Sequence, residues 1–459
     1  MSRFADQNLA GWGRSTVEPC RVYCPHSVGE LNRVFEQRGQ RSYISRGLGR
    51  SYGDAALNGG SGVILHEKMD RLLAFDPHTG VLEAEAGVSL AVIIEVFLPQ
   101  GWFVPVTPGT KHVTLGGAIA ADVHGKNQHH DGSFGSFVLD FQLLGADGEI
   151  LTCSAEHHRE LFWATIGGMG LTGVLLSARL QMMPVESAYL KVTASRHEEL
   201  DELFAAMDEH PDDRYSVAWM DGVVSSHFRS VLMRGDHAAA AELPLALANC
   251  PFAVKSRRCF TVPPFVPSGL LNSTTVKGFN ALYYATHKNR TAVEDYEMFF
   301  YPLDGIGNWN RLYGNRGFLQ YQLVLPSATS RDGLKQVMGE LRRSRRSSFL
   351  AVLKSFGPGN DGLLSFPTAG HTLALDLPND GVSLIQMLHR LDRIVLEHGG
   401  RVYLAKDACL SRESFEAMYP RVDAFRKIKK QIDPGALFAS SQARRLGLLG
   451  PHPDGGDGA

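Results

Sequence analysis

Three glycine-bearing stretches hold the residues whose types and spacing could do chemistry. The first reads Ser45-Arg46-Gly47-Leu48-Gly49-Arg50-Ser51-Tyr52-Gly53-Asp54 and follows a short strand pattern. Successive small residues let neighbouring backbone N–H groups turn toward one point, a nest suited to a pyrophosphate. The second reads Pro108-Gly109-Thr110, then Val113-Thr114-Leu115-Gly116-Gly117-Ala118-Ile119-Ala120-Ala121-Asp122-Val123-His124-Gly125. Its small side chains let backbone approach a flat aromatic ring. The third, 167–173, contains a literal G-x-G-x-x-G from Gly168 to Gly173. A Rossmann fingerprint needs a strand before it and a helix after it. Here a helical pattern (160–164) precedes and an alternating strand pattern (174–180) follows, so the nicotinamide reading is set aside. His124, His129 and His130 match no common zinc spacing, and no cysteine or carboxylate pair completes a set. No metal is expected; His124 is expected against a cofactor, and the other two on a loop.

Mixed short elements must position these stretches. Ser27 to Glu30 forms S-x-x-E, with Leu31, Val34 and Phe35 at helical spacing, so a helix starts near Ser27. Strand patterns occur at 42–45, 62–65, 72–75 and 81–84, a helix at 90–98, and an extended piece at 102–106. Residues 136–144 and 149–153 flank an Ala-Asp-Gly turn, a hairpin signal. The pattern predicts an α+β domain. Composition shifts after Pro184, and 236–275 turns Ala-rich and then Pro-rich; it reads either as a long surface loop or as a mobile cover over an apolar substrate. Beyond 317, FLQYQLVLP, SFLAVLKSF and HTLALDLP read as strands of one sheet, and 384–397 as a helix ending at Gly399-Gly400.

The chain has 459 residues, two or three domains' worth, with 46 Lys plus Arg against 48 Asp plus Glu. So even a balance gives no electrostatic case for a nucleic-acid partner. Cys20, Cys24, Cys153, Cys250, Cys259 and Cys409 are scattered and read as thiols, not as a disulfide framework. The N-terminus lacks an apolar leader, and no apolar run is long enough to span a bilayer. A cytoplasmic protein is expected. Residues 448–459 have the make-up of a disordered tail.

The motifs RGLGRSYGD (46–54), PGT-x-x-VT-x-GGAIA-x-D-x-HGKN (108–127), GSFG (132–135), ELFWAT-x-GG (160–168) and GLTG (170–173) resemble the flavoenzymes of the vanillyl-alcohol-oxidase type. Within that superfamily the chain resembles the decaprenylphosphoryl-β-D-ribose 2′-oxidase family. The likeness continues through 302–314, 317–322, 365–376, 405–407, 418–423 and 433–446, nearly the whole chain.

The resemblance implies a two-part FAD-binding domain from 1–185 and a C-terminal segment 396–447. Between them, at 186–395, it implies a separate α+β substrate domain with its lid near 236–275. It implies FAD, held without a covalent tether, with Ser45, Arg46, Gly47, Leu48, Gly49, Arg50, Ser51, Tyr52, Gly53, Asp54 and Ala55 at the pyrophosphate. Gly109, Thr114, Leu115, Gly116, Gly117, Ala121, Asp122, Val123, His124, Leu175 and Tyr403 match further cofactor contacts. Lys406 matches the family's essential lysine, able to serve as a base if desolvated or as a charge beside an alkoxide. Tyr52 and His124 are candidates for orienting ring or sugar, and Lys126, Gln320, Gln322 and Lys354 for holding sugar hydroxyls and phosphate. Two departures stand out: Ala374 where some members carry cysteine, and Phe300 where close relatives carry tyrosine. The implied activity is oxidation of the C2 hydroxyl of a polyprenylphosphoryl ribose to the 2-keto sugar. An NAD(P)H-dependent keto-sugar reductase would complete epimerisation to the arabinose form, with peripheral contact at the inner face of the plasma membrane. The competing readings are an FAD oxidase of a soluble sugar or aldonolactone, and a flavin-binding scaffold without turnover.

Overall fold

A computed structural model describes residues 4–37, 39–221, 228–254, 260–267 and 273–449. Among these residues three larger sheets carry the architecture, and the class is α+β. A four-stranded sheet has the order Phe4–Ala10, Val17–Tyr23, Gly62–Leu65, Tyr43–Arg46, antiparallel in its first pair and parallel in the others. A five-stranded antiparallel sheet follows, ordered Leu72–Asp76, Val81–Glu85, Val174–Gln181, Val138–Leu144, Ile150–Ser154. The third has eight antiparallel strands. They run Arg290–Asp295, Tyr189–His197, Ser230–His237, Tyr215–Met220, Ala351–Phe356, Gly370–Pro378, Phe318–Pro326, Arg401–Val402.

Local signals in the sequence account for much of this. The helix Val28–Glu36 is capped by Ser27, whose hydroxyl accepts the Glu30 N–H. The reciprocal contact differs from the expected capping box: Glu30 accepts from the N–H of His26, one residue before the cap.

The large sheet shows how period-two alternation makes a site. Along Phe318–Pro326, residues two apart share a face. Leu319, Tyr321, Leu323 and Leu325 lie opposite Leu377, Leu375, Leu373 and His371. The apolar side chains among them are buried in one core with Leu334, Val337, Leu384, Leu388 and Leu391 of the helices Ser330–Ser344 and Val382–Glu397. Each such burial contributes about 2 kcal/mol. The opposite face carries Gln320 and Gln322 against Asp376 and Ala374, with Val352 and Lys354 against Ala374 and Thr372. One strand pattern thus secures a core and presents a polar floor.

The end of the chain touches two sheets. Arg401–Val402 completes the eight-stranded sheet, while Phe438 bridges to Tyr43 of the four-stranded one. Arg445 pairs with Asp54 at 2.6 Å and with Asp407 at 2.9 Å, both carboxylates buried. Breaking such a cluster from one side costs about 3–5 kcal/mol, so it ties the C-terminal segment to the first glycine loop.

Part of the expected cover at 236–275 (255–259 and 268–272) lies outside the described residues. The rest includes the helix Leu245–Ala248 and the strand Phe260–Thr261, which pairs with Ile306–Gly307. The expected tail is corrected at its start: Leu448 is 1% exposed and belongs to the core, while 450–459 lie outside the described residues. Among the described residues no helix is long and apolar enough to cross a membrane, and no cluster of metal-ligating side chains occurs.

Candidate active site

A cavity of about 510 Å³ opens where the two glycine-rich loops face the polar side of the large sheet. Of the first loop, Ser45, Gly47, Leu48, Gly49, Arg50, Ser51, Tyr52 and Ala55 line it. No protein acceptor among the described residues takes the N–H groups of Gly47 through Ser51, so these donors are free to meet a ligand. Gly47 admits no side chain: a Cβ there would lie 2.2 Å from the Thr114 hydroxyl oxygen. Gly109, Thr114, Gly116, Gly117, Ala121, Val123, His124, Leu175 and Tyr403 line the cavity as well. Thr114 caps the short helix Leu115–Ala120 by accepting the Gly117 N–H at 3.1 Å.

Five expected cofactor residues stand elsewhere. The Arg46 guanidinium donates to the carbonyls of Ala10 and Ala56 and braces the loop from behind. Gly53 packs so tightly on Asp407 that a Cβ would sit 2.1 Å from its carbonyl oxygen. Asp54 is committed to Arg445. Leu115 is a fully buried core residue. Asp122, at φ 40°, accepts from Ser133, Gly135, Asn360 and Ser365 and anchors the turn leading to His124. These residues shape the walls without reaching the cavity, because a loop that presents its backbone inward turns many side chains outward.

The floor assembles Gln320, Gln322, Val352, Lys354 and Ala374, with Lys406 at its edge. The Lys406 ammonium lies 3.9 Å from the centre of the Tyr52 ring. Burial pushes its pKa down to about 7; attraction to Asp376 opposes that shift and repulsion from Lys354 adds to it. Burial likewise lowers Lys354 to about 8. His124 is held well below its ordinary value by burial, then by Lys354 and Lys406, so its ring is neutral. Its Nε2 lies 2.8 Å from the Gln322 amide nitrogen, and its Nδ1 is buried without a partner. With the amide donating, Nε2 accepts and the proton sits on Nδ1.

Lys126 falls outside this group. Its ammonium donates to the Phe299 carbonyl and lies over the Phe299 ring at 4.0 Å, and desolvation lowers its pKa to about 7. Phe300 is fully buried against Phe103, Tyr215 and His237, away from the cavity lining. Ala374 does line the floor.

Sequence reasoning missed other lining residues. His66 follows the strand Gly62–Leu65, contacts the Ser45 hydroxyl at 3.1 Å and has a buried, unpartnered Nδ1. Its position just after an apolar strand beside the first glycine loop was the available signal. Met169, Gly170 and Gly173 of the third glycine stretch line the cavity, as do Leu303, Asp304, Ile306 and Trp309, with Trp12. Nothing local marks the 303–309 strip or Trp12 as cavity residues; they arrive by tertiary packing.

A cavity with one wall of unpaired N–H donors and small residues, and a floor of amides and lysines, fits a dinucleotide with a flat ring beside a polar substrate. Comparison with known proteins agrees. Residues 19–154 match the family described as FAD binding domain, and 379–446 the family D-arabinono-1,4-lactone oxidase. The chain is 41% identical over 455 residues to decaprenylphosphoryl-beta-D-ribose oxidase of Mycolicibacterium smegmatis, covering 96% of this chain and 98% of that one. It is 23% identical over 448 residues to L-gulonolactone oxidase of Mus musculus, covering 93% and 95%. Over a shorter stretch of 171 residues it is 28% identical to cytokinin dehydrogenase 2 of Arabidopsis thaliana, covering 36% and 34%. The chain is an FAD-dependent oxidoreductase and belongs to the decaprenylphosphoryl-β-D-ribose oxidase family.

Proposed function

We propose that this protein oxidises the C2 hydroxyl of a polyprenylphosphoryl-β-D-ribose to the 2-keto sugar. The observation that carries the reading is the placement of Lys406 beside Gln320, Gln322 and Lys354, in the cavity whose other wall offers the unpaired N–H groups of the first glycine loop. Bound FAD supplies a two-electron acceptor for the C2 hydride. The N–H groups of Gly47 through Ser51 hold its phosphates, and the small residues from Gly109 to Val123 leave room for its ring. Lys406, with a pKa near neutrality, takes the hydroxyl proton as the C–H bond breaks. Tyr52 fixes the Lys406 ammonium through its ring face. Gln320, Gln322 and the neutral His124 hydrogen-bond the sugar, and Lys354 meets the phosphate as a point charge. Lys126, outside the lining, contributes by fixing the Phe299–Phe300 segment. The flavin is held without a covalent bond.

In this reading the FAD-binding part comprises 1–185 and most of 396–447, and 186–395 forms the substrate part. An NAD(P)H-dependent reductase would take the keto sugar onward, and the lipid tail brings the protein to a membrane surface. Oxidation of a soluble aldonolactone is the second reading, favoured by the resemblance of 379–446 to an aldonolactone oxidase. Anaerobic bleaching of the flavin separates the two: a lipid-linked ribose should reduce it at micromolar concentration, and free ribose or aldonolactones should not. Faster bleaching by a lactone would overturn the proposal.

A further inference from the structure

Behind the cavity floor stands a carboxylate that the reaction just described leaves unused. Asp376 lies directly across the strand pair from Gln320 and is fully buried. Its backbone N–H is bonded to the Leu350 carbonyl and the Ser348 hydroxyl, which fixes the residue in the sheet. One carboxylate oxygen accepts from the Gln320 side-chain amide. The other is buried without a well-formed hydrogen bond, and the Tyr313 hydroxyl, which lacks one too, stands near enough to favour the ionised carboxylate. Burial of a carboxylate with only half its acceptors satisfied is costly, and an apolar residue at this strand position would avoid that cost.

We propose that Asp376 is a positioning residue that acts through two neighbours: it sets the charge state of Lys406 and orients the Gln320 amide. The inference rests on the assignment of Lys406 to proton transfer. Because the Gln320 nitrogen is engaged by Asp376, its carbonyl oxygen is left to face the cavity that Gln320, Tyr52 and Lys406 line together. Asp376 thus holds Gln320 in the same lining as Tyr52, the ring on which the Lys406 ammonium rests. Around Asp376 the titratable groups are Lys406, the Tyr313 hydroxyl from the turn 309–313, and Tyr52. Around Lys406 they are Asp376, Lys354 and His124. Asp376 is the one acid in that company, so it alone draws Lys406 toward the ammonium form while Lys354 opposes it. Burial disfavours the charged form of both Asp376 and Lys406 while their mutual attraction favours it in each, so the two titrate as a pair. Such a pair lets Lys406 accept the substrate proton without creating an uncompensated charge in the floor.

The test is a direct titration of Lys406 in the FAD-bound protein by 13C NMR with labelled lysine, Lys406→Met serving to assign the resonance. Asp376→Asn keeps the shape and removes the charge. It should move the Lys406 midpoint to lower pH by about one pH unit or more, and Asp376→Glu should restore most of it. Tyr313→Phe spares the carboxylate and removes a hydroxyl that favours its ionised form, so it should move the midpoint the same way by less. This variant carries the test if Asp376→Asn fails to fold. In anaerobic flavin reduction, the limb of the pH profile that follows Lys406 should shift equally, with kcat changed more than KM. An unchanged Lys406 midpoint in Asp376→Asn and Tyr313→Phe would overturn the proposal. A shifted midpoint in a protein whose flavin no sugar reduces would support the coupling and sink the sugar-oxidation reading instead.

Discussion

The glycine loop 45–55 meets the cavity with backbone, whereas the strands around Gln320 meet it with side chains. In the loop, Gly47 through Ser51 turn unpaired N–H groups inward while Arg46 and Asp54 point away to brace neighbouring segments. On the floor, the backbone is consumed by strand pairing and every second residue delivers an amide, a lysine or a small apolar group. The first kind of surface suits a ligand of fixed shape and charge, such as a pyrophosphate. The second can change its chemistry one residue at a time with the sheet untouched. Cofactor retention and substrate chemistry should therefore be separable by mutation.

The largest effect should come from the wall. Gly47→Val places carbon where the Thr114 side chain stands, 2.2 Å from its oxygen and 2.9 Å from its methyl. Either the loop or the cap of the helix Leu115–Ala120 must shift, so the purified variant should be nearly colourless and inactive, as read by absorbance and by FAD released on denaturation. A yellow Gly47→Val protein would break the contrast.

Next in size is a floor variant that should leave the cofactor in place. Lys406→Met keeps the apolar stem and removes the ammonium. Flavin reduction should slow by roughly a hundredfold or more, as for loss of one acid–base group, with FAD content equal to wild type. Loss of FAD together with activity would assign Lys406 to the wall's function instead.

The smallest expected effect concerns stability. Lys354 is depressed to about 8 in the folded protein against an ordinary value near 10.5. The unfolded chain therefore binds more protons between those values, and stability rises with pH across that window. Below about pH 8 the full cost of the buried ammonium is present, about 3 kcal/mol. Lys354→Met should be more stable than wild type by that order at pH 7, with the gain shrinking toward zero above pH 10.5. Denaturant titrations of both proteins at pH 7 and pH 10 measure it. A constant difference at the two pH values would show that Lys354 is hydrated in its cavity.

The same contrast explains what could be read before folding. Ser45 through Ser51 and Pro108 through Val123 are legible because contiguous glycines and small residues are themselves the device: a nest is local. The strand FLQYQLVLP announces its two faces by alternation alone. Asp54, Asp122 and Leu115 misled because a motif marks a whole loop and does not say which of its side chains turn inward. Trp12 and the strip 303–309 carry no local mark as cavity residues, since their roles depend on which segments the fold brings beside them.

By itself, then, the amino-acid sequence determined the α+β class, the absence of a Rossmann context, the glycine-bearing stretches that line the cavity and the alternating strands of the floor, all of which follow from short-range geometry. Only the tertiary structure decided that Gln320 faces Asp376, that Lys406 rests on Tyr52, and that Arg445 closes the chain onto Asp54. Those relations join residues separated by 56, 354 and 391 positions (376 less 320, 406 less 52, 445 less 54). Burial then sets their charges, because an ionisable group's proton affinity depends on the solvent and partners that packing removes or supplies.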